Sequence, residues 1–504
     1  MLENIKKYPK SLQLSIIEGM VASLMFGGGT IFITAFAVFL GATSFELGLL
    51  FALPALLGAW LQLGSLKLLK VYKKRRNAIA QMVFLQALSW LLIALIPFIF
   101  PTNQVVWLII ITTLGTLAGS IAGPLWQSWM RSLTPEEILG EYFGVRNAIT
   151  GAVVLFTMLG GGLLLNVVEP SMQLYAFFAI CFISFLGRLA SSITFTKIDD
   201  PDFVIDTTEK VKIFTFIKQL RKDNFGYFVL FGTLMTFSIS MVGPFFSLYL
   251  LQTLNLQTNY LLYTLIICAS AASSLISMPY WGKIVDNYGT IKVLKATGFL
   301  ACIYPIFLIF VRDPIALIGT EILAGVIFSG FNLCLANFIY ESFKAEKIIK
   351  YASYQGTLFG TATFFGILLS GYLLTFNISI GLLSTMFYLI CLISLILRLF
   401  FFGTLINKIK EVRETKPITD RKLILSVLTF GPLREPLIDG FIPIIYFTEN
   451  TIKKATTRTI NTVGLISKKG EEEIVQTVRK VGFVTKNEFE KAKTLIKRKN
   501  KGFF

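Results

Sequence analysis

Long apolar segments, separated by short polar connections, make up most of the chain before residue 403. A helix needs about 20 apolar residues to cross the hydrocarbon core of a bilayer, and we count roughly twelve segments of that length. The predicted spans are 12–40, 46–66, 77–99, 104–130, 142–168, 172–194, 225–252, 259–281, 293–311, 314–340, 352–375 and 378–402. The pattern predicts an all-α membrane protein. Its first segment, Leu14 to Leu40, is too long for a signal-peptide core and is expected to remain as an uncleaved span.

The segments fall into two groups of six, which predicts two six-helix transmembrane bundles. We assign residues 1–194 to the N-terminal bundle, 195–224 to a cytoplasmic linker, 225–402 to the C-terminal bundle and 403–504 to a small basic cytoplasmic extension. A plain tether is the simplest interpretation of the polar linker. The extension holds 21 basic and 11 acidic residues, a net charge of +10 against +18 for the whole chain. This charge favours docking on anionic lipid, and a solvated extension is the alternative.

The connections between the segments alternate in charge. Lysine and arginine are concentrated in every second connection, at 67–76, 131, 197–222, 283–295 and 344–350. The other connections are nearly neutral. Because cytoplasmic loops carry an excess of Lys and Arg, we expect the basic connections and both termini to be cytoplasmic in a multi-pass protein of the cell membrane.

Composition excludes several classes of function. Only 15% of the residues are charged, and 54% are hydrophobic, whereas a soluble domain carries about 25% charge. The chain has no histidine, its five cysteines lie singly within apolar segments, and no phosphate-binding loop is present. We therefore predict neither a metal nor another cofactor, and no enzymatic activity. No nucleic-acid partner is expected, since no binding motif accompanies the basic charge.

A short polar, basic link joins predicted spans 8 and 9. It contains Gly282, Asp286, Gly289 and Lys292, and a partial copy begins at Gly64, about half the apolar region earlier. The copy has leucine in place of the acid and lacks the second glycine. A chain of apolar helices that repeats itself in this way is typical of a two-fold transporter. The spacing G-x-x-x-D-x-x-G-x-x-K resembles the loop signature of the major facilitator superfamily.

This resemblance implies a twelve-span secondary active transporter that moves a small organic solute by alternating access. In the superfamily the acid of this loop holds the inward gate shut by facing a helix start and a nearby arginine of the opposite half. Here that acid is Asp286, and its expected partner is the start of span 5 near Arg146. The segment 133–147 and the Trp126–Trp129 stretch resemble a prokaryotic branch of the superfamily. The alternative is an ordinary positive loop that contains one stray acid.

Two acids lie within the predicted spans, where charged groups are costly and usually functional. Glu321 is about seven residues into span 10, or roughly 10 Å deep at 1.5 Å per residue. It is our first candidate for proton coupling, and a hydrogen-bonded acid at a wet cavity mouth is the alternative. Glu18 lies at a similar depth from the other side and is the second candidate, although a structural role suits that location better. Arg188 and Arg398 are expected to extend to the cytoplasmic interface.

Neutral polar residues cluster near the cytoplasmic ends of several spans. The substrate-cavity candidates are Gln62, Trp126, Gln127, Asn147, Asn332, Asn337, Tyr340 and Gln355. Amides and indoles suit hydrogen bonding and stacking with a small solute. For any one of these residues, a hydrogen bond that holds two helices together is the competing interpretation.

Two other functions remain open at this point. The protein could be a membrane-embedded sensor or scaffold that signals through its basic extension. It could also translocate lipid, which its 47 phenylalanines permit but do not specify. We expect a monomer that binds a small molecule within the lipid bilayer.

Overall fold

The computed structural model describes residues 8–135, 138–201, 213–343, 345–376 and 385–412, together with Pro432. These residues belong to one compact unit, Met1–Pro436. Every regular element within them is helical. Beyond residue 412, the predicted extension lies outside the described residues, except for Pro432. The predicted start of span 12, at 378–384, also lies outside them.

Twelve helices of the described part are long and apolar enough to cross a membrane. In chain order they are span 1 Lys10–Phe39, span 2 Ser44–Gly64, span 3 Arg75–Ile99, span 4 Gln104–Leu133, span 5 Tyr142–Val167, span 6 Pro170–Phe195, span 7 Asn224–Thr253, span 8 Tyr260–Tyr288, span 9 Thr290–Phe310, span 10 Pro314–Ile339, span 11 Tyr351–Leu373 and span 12 Met386–Lys408. Short helices Ser65–Tyr72 and Ile213–Gln219 precede spans 3 and 7. The all-α, twelve-span prediction is confirmed.

The polar link between spans 8 and 9 differs from its prediction as a loop. Span 8 remains helical to Tyr288, and span 9 begins at Thr290, so Gly289 alone makes the turn, with φ 95° and ψ 155°. That conformation is accessible to glycine because glycine has no Cβ. A glycine inside a helix costs only about 1 kcal/mol, which explains why Gly282 does not interrupt span 8. In the first half, Lys73 has φ 61° two residues before the start of span 3, although it is not a glycine.

The hydrophobic core differs between the two ends of the bundle. We name the end that carries the basic connections the basic end and the opposite one the neutral end. Near the neutral end, one continuous core joins both halves and includes Phe36 and Phe177 of the first six spans with Phe245 and Tyr260 of the last six. Towards the basic end, the buried residues separate into one cluster from the last six spans and two from the first six. The halves are thus joined by apolar packing mainly at the neutral end, although the partly buried Leu63 of span 2 packs against the cluster of the last six spans.

Glycines permit the close contact between the halves near the neutral end. A Cβ added to Gly48 of span 2 would lie 3.3 Å from the Cα of Gly371 in span 11. A Cβ on Gly162 of span 5 would lie 2.2 Å from the hydroxyl oxygen of Thr264 in span 8. Small residues let helix backbones approach closely, as is usual where membrane helices associate. Spans 2 and 11 and spans 5 and 8 therefore form the two seams between the halves.

The chain that leaves span 6 folds back onto the basic end of its own half. Ile198 is fully buried, and the Asp200 carboxylate accepts hydrogen bonds from the Arg75 Nε and from the Arg76 backbone N–H, each at 3.1 Å. An anion suits this position because it faces the positive N-terminal end of span 3. The first residues of the linker are therefore an integral part of the N-terminal half.

The chain that leaves span 12 repeats this arrangement. Ile409 is buried, and a Glu411 carboxylate oxygen accepts the Ile291 backbone N–H at 2.9 Å, at the start of span 9. Asn224 exchanges two hydrogen bonds of 2.8 Å with the backbone of Lys410. Phe216, on the short helix before span 7, is buried in the core of the same half. A plain tether can thus describe only the part of the linker between these anchored ends.

Candidate functional site

A buried charged cluster lies about 10 Å from the basic end of the N-terminal half. At its centre is Glu18 of span 1, whose side chain is only 3% exposed. Its Oε2 lies 3.1 Å from the Nη2 of Arg146 in span 5, and its Oε1 lies 3.8 Å from the Nη1 of Arg188 in span 6. The Ser191 hydroxyl donates a hydrogen bond of 2.7 Å to the same Oε1. The cluster joins spans 1, 5 and 6 through their charges.

Arg188 and Arg398 do not extend to the interface, contrary to the prediction. The Arg188 Nε donates to the side-chain oxygen of Gln86 at 2.7 Å, and its Nη1 donates to Ser191 at 3.3 Å. Arg398 of span 12 is 1% exposed, and its Nη1 donates to the Ala301 carbonyl at 2.7 Å. Both arginines find polar partners on neighbouring spans, and these partners hold the guanidinium groups inside the bundle.

Arg146 is partly exposed, to nearly the same extent as Arg188, whose side chain is 11% exposed. The Arg146 Nε donates to the Ser15 carbonyl oxygen at 3.3 Å, and its guanidinium lies 4.7 Å from the centre of the Trp126 ring. Its side chain is 12% exposed. The structure therefore shows Arg146 engaged by its own half. The expected approach of Asp286, which is exposed near the end of span 8, stays a prediction.

Glu321 is buried among the last six spans, with 6% exposure. The Tyr304 hydroxyl of span 9 donates a hydrogen bond to its carboxyl group, and Ser270 of span 8 interacts with the same group. The predicted depth within span 10 is thus accompanied by polar partners on two further spans. Its carboxyl group faces helices of its own half rather than the seams between the halves.

The neutral polar candidates separate into two groups. Gln127, Asn147 and Asn332 are exposed within their spans, and Asn337 is half-buried. These four lie in the basic half of spans 4, 5 and 10, on both sides of the region where the core divides. They can offer amide groups to a solute that enters from the basic end.

The remaining candidates have structural partners or lie outside the described side chains. Gln355 is buried, and its amide donates to the Leu335 carbonyl at 2.9 Å, which fixes span 11 against span 10. Gln62 lies where spans 2 and 11 remain in contact, since its Nε2 would be 2.8 Å from a Cβ on Gly356. The Tyr340 side chain is outside the described part of the structure. Gln355 therefore matches the interpretation as a link between helices.

The sequence reasoning missed the partners of Glu18. Arg188, Ser191 and Gln86 were not recognised as one site because they are far apart in the sequence. The depth of these residues in the membrane indicates that they can pair. Glu18 lies eight residues after the start of span 1, and Arg188 lies seven residues before the end of span 6, so both are about 10 to 12 Å from the same membrane face. Opposite charges at equal depth inside a bilayer are expected to pair.

Several solved transporters share the fold. The nucleoside transporter NupG superposes with a TM-score of 0.59 at 12% identity, over 80% of this chain and 100% of that one. The D-xylose–proton symporter gives a TM-score of 0.61 at 14% identity, over 80% and 99%. The inward open xylose transporter XylE from E. coli gives 0.58 at 14%, over 82% and 99%. At such identities these similarities show the fold alone.

Sequence comparison identifies the family. A comparison with curated proteins gave no significant match. The sequence model of the Major Facilitator Superfamily matches residues 19–314 and, in a second, overlapping match, residues 229–448. Together these matches include all twelve spans except the start of the first. The chain therefore belongs to the Major Facilitator Superfamily and is a multi-pass secondary transporter rather than an enzyme.

Proposed function

We propose that the protein moves a small organic solute across the cell membrane by alternating access, with transport coupled to protons. The division of the core carries this proposal: one core joins both halves near the neutral end, whereas separate cores face the basic end. We assign the basic end to the cytoplasm because of its lysines and arginines. On this assignment, we infer that the structure represents a state open to the cytoplasm.

The proposed substrate path lies between the halves at the basic end. The residues that we assign to it are Trp126, Gln127 and Asn147 of the N-terminal half and Asn332 and Asn337 of the C-terminal half. Hydrogen-bonding side chains on both sides would hold one solute while the halves rock about it. Such a lining supports a solute with polar groups over a purely apolar one.

Side-specific labelling tests this orientation and access. All five native cysteines are buried, so a cysteine introduced at an exposed position would stand out against a low background. We expect Asn332→Cys to react with a membrane-impermeant maleimide from the cytoplasmic side, and the exposed Ile315→Cys to react from outside. Labelling of Asn332→Cys only from outside would overturn the assignment of the basic end.

The glycine contacts indicate how the basic end closes. A Cβ on Gly64 or on Gly282 would meet no atom within 4 Å, unlike those on Gly48 and Gly371. The two repeat-related glycines are therefore not required for packing in this state. We infer that closure brings them against the opposite half and places Asp286 at the start of span 5.

Replacing Gly282 by alanine is expected to increase the stability of the protein and to decrease its transport rate. The substitution should raise the free energy of unfolding by up to about 1 kcal/mol, because alanine favours the helix more than glycine does. Solute flux should fall several-fold, because the added methyl group would obstruct the approach of the opposite half to the backbone of span 8. Thermal unfolding and counterflow in proteoliposomes measure the two effects. Gly319→Ala is the matched control, because this helical glycine also has open space but lies at the neutral end. Equal flux in both variants would contradict the closure.

Proton coupling is assigned first to Glu321. Its burial and its bond from Tyr304 support a carboxyl group that exchanges a proton once per cycle. Glu18 is the second candidate, but it would have to disturb contacts with Arg146 and Arg188 to carry a proton. We therefore place Glu18 in the ion cluster.

Removal of the basic extension distinguishes a transporter from a sensor. Because Glu411 bonds to the start of span 9, the deletion should begin at residue 413 and leave that contact intact. A transporter is expected to keep at least half of its flux after loss of 413–504. A sensor would lose its output but keep ligand binding. Flux abolished by this deletion, with the protein still folded, would contradict our proposal.

A further inference from the structure

We propose that Arg146 binds an anionic group of the substrate, so that the solute is a carboxylate or a phosphate or sulfate ester; this inference rests on the proposed transport function. The charged cluster contains two arginines, Arg146 and Arg188, but only one carboxylate, that of Glu18. Its net charge is therefore positive by one unit. A charge without a counter-ion is costly inside a membrane protein, and an anion relieves that cost.

The position of the two arginines indicates which of them can bind the anion. Each has one terminal nitrogen with no hydrogen-bond partner among the described residues, Nη1 of Arg146 and Nη2 of Arg188, and their side chains are 12% and 11% exposed. Arg146 lies four residues after the start of span 5, about 6 Å along the helix, whereas Arg188 lies seven residues before the end of span 6, about 10 Å along it. Arg146 is therefore nearer the basic end, and its Nη1 is the donor that a solute entering there meets first.

Trp126 and Glu18 fix the direction of this donor. The guanidinium lies over the indole ring, and a buried carboxylate holds its other edge, so little side-chain freedom remains to be lost on binding. A planar guanidinium that is already oriented matches the oxygen atoms of carboxylate and phosphate groups.

The test compares anions with their neutral counterparts. Thermal unfolding of the purified full-length protein is measured with a panel of monocarboxylates, dicarboxylates, phosphate esters and sulfate esters, each paired with its amide or alcohol. We expect at least one anion to stabilise the protein where its neutral partner does not. Arg146→Gln should weaken the apparent affinity for that anion by about tenfold or more, as expected for loss of a charged hydrogen bond. Arg146→Lys should retain part of the affinity for that anion.

Glu18→Gln is expected to change the affinity for the anion in the opposite direction. It removes the only acid of the cluster, so the anion should bind more tightly, whereas a purely structural role would only destabilise both variants. Stabilisation by no anion in the panel, or anion binding unchanged in Arg146→Gln, would overturn the assignment. Counterflow of a neutral solute by Arg146→Gln at the wild-type rate would also overturn it while leaving the proposed transport function intact.

Discussion

Glu321→Gln is expected to abolish accumulation of solute driven by a pH gradient and to leave solute exchange largely unchanged. Glutamine has nearly the same shape as glutamate, and its carbonyl oxygen can still accept the hydrogen bond from Tyr304. It cannot bind and release a proton at neutral pH. Accumulation in proteoliposomes under an imposed gradient and counterflow without a gradient measure the two activities.

Two controls make this result specific. Tyr304→Phe removes the hydrogen bond but keeps the carboxyl group, so it should alter the rate of coupled uptake without eliminating it. Glu169→Gln changes an exposed acid near the neutral end and should have no effect. Undiminished accumulation in Glu321→Gln would mean that Glu321 only links spans 9 and 10 through Tyr304.

The second large effect is expected from Asp200→Ala. This change removes the carboxylate that pairs with Arg75 at 3.1 Å, with side chains 4% and 1% exposed, and that accepts the Arg76 backbone N–H. Arg75 would lose the Asp200 carboxylate, and removal of one partner from a buried ion pair typically costs about 3 to 5 kcal/mol. We expect a lower thermal unfolding temperature and weaker expression in the membrane.

The matching variant in the other half should be milder. Glu411→Ala removes one hydrogen bond to a helix start, to the Ile291 N–H, and should cost about 1 kcal/mol. Thermal unfolding of both variants in the same detergent makes the comparison. If Asp200→Ala were as stable as the wild type, the Asp200 carboxylate would contribute nothing to the stability of the N-terminal half.

Most of the fold could be predicted from the apolar pattern. Twenty or more apolar residues in a row have few alternatives to a spanning helix, so the predicted and observed spans agree closely in number and position. The apolar pattern does not predict that span 8 continues to Tyr288, because a polar sequence after an apolar span is typical of a loop. A polar sequence indicates where a helix leaves the membrane. It does not indicate where the backbone hydrogen bonding of that helix ends.

The site was less predictable because its contacts join distant parts of the chain. Glu18 and Arg146 were identified separately, the first as an acid within a span and the second as a gate residue. Their pairing, and the arrival of Arg188 beside them, depends on how spans 1, 5 and 6 are rotated about their axes. Membrane helices carry weak amphipathic signals, since lipid and protein interior are both apolar. Their rotations therefore cannot be obtained from hydrophobicity alone.

The two anchored ends of the linker set an upper limit on the transport movement. The chain is held to the N-terminal half up to Pro201 and enters the short helix packed on the C-terminal half at Ile213. A chain extends at most about 3.3 to 3.6 Å per residue, so these twelve steps can bridge no more than roughly 40 Å. The length of the linker thus limits how far these two anchors can separate but not how closely they can approach, so a sufficient shortening should restrict the opening of the basic end before it affects its closing.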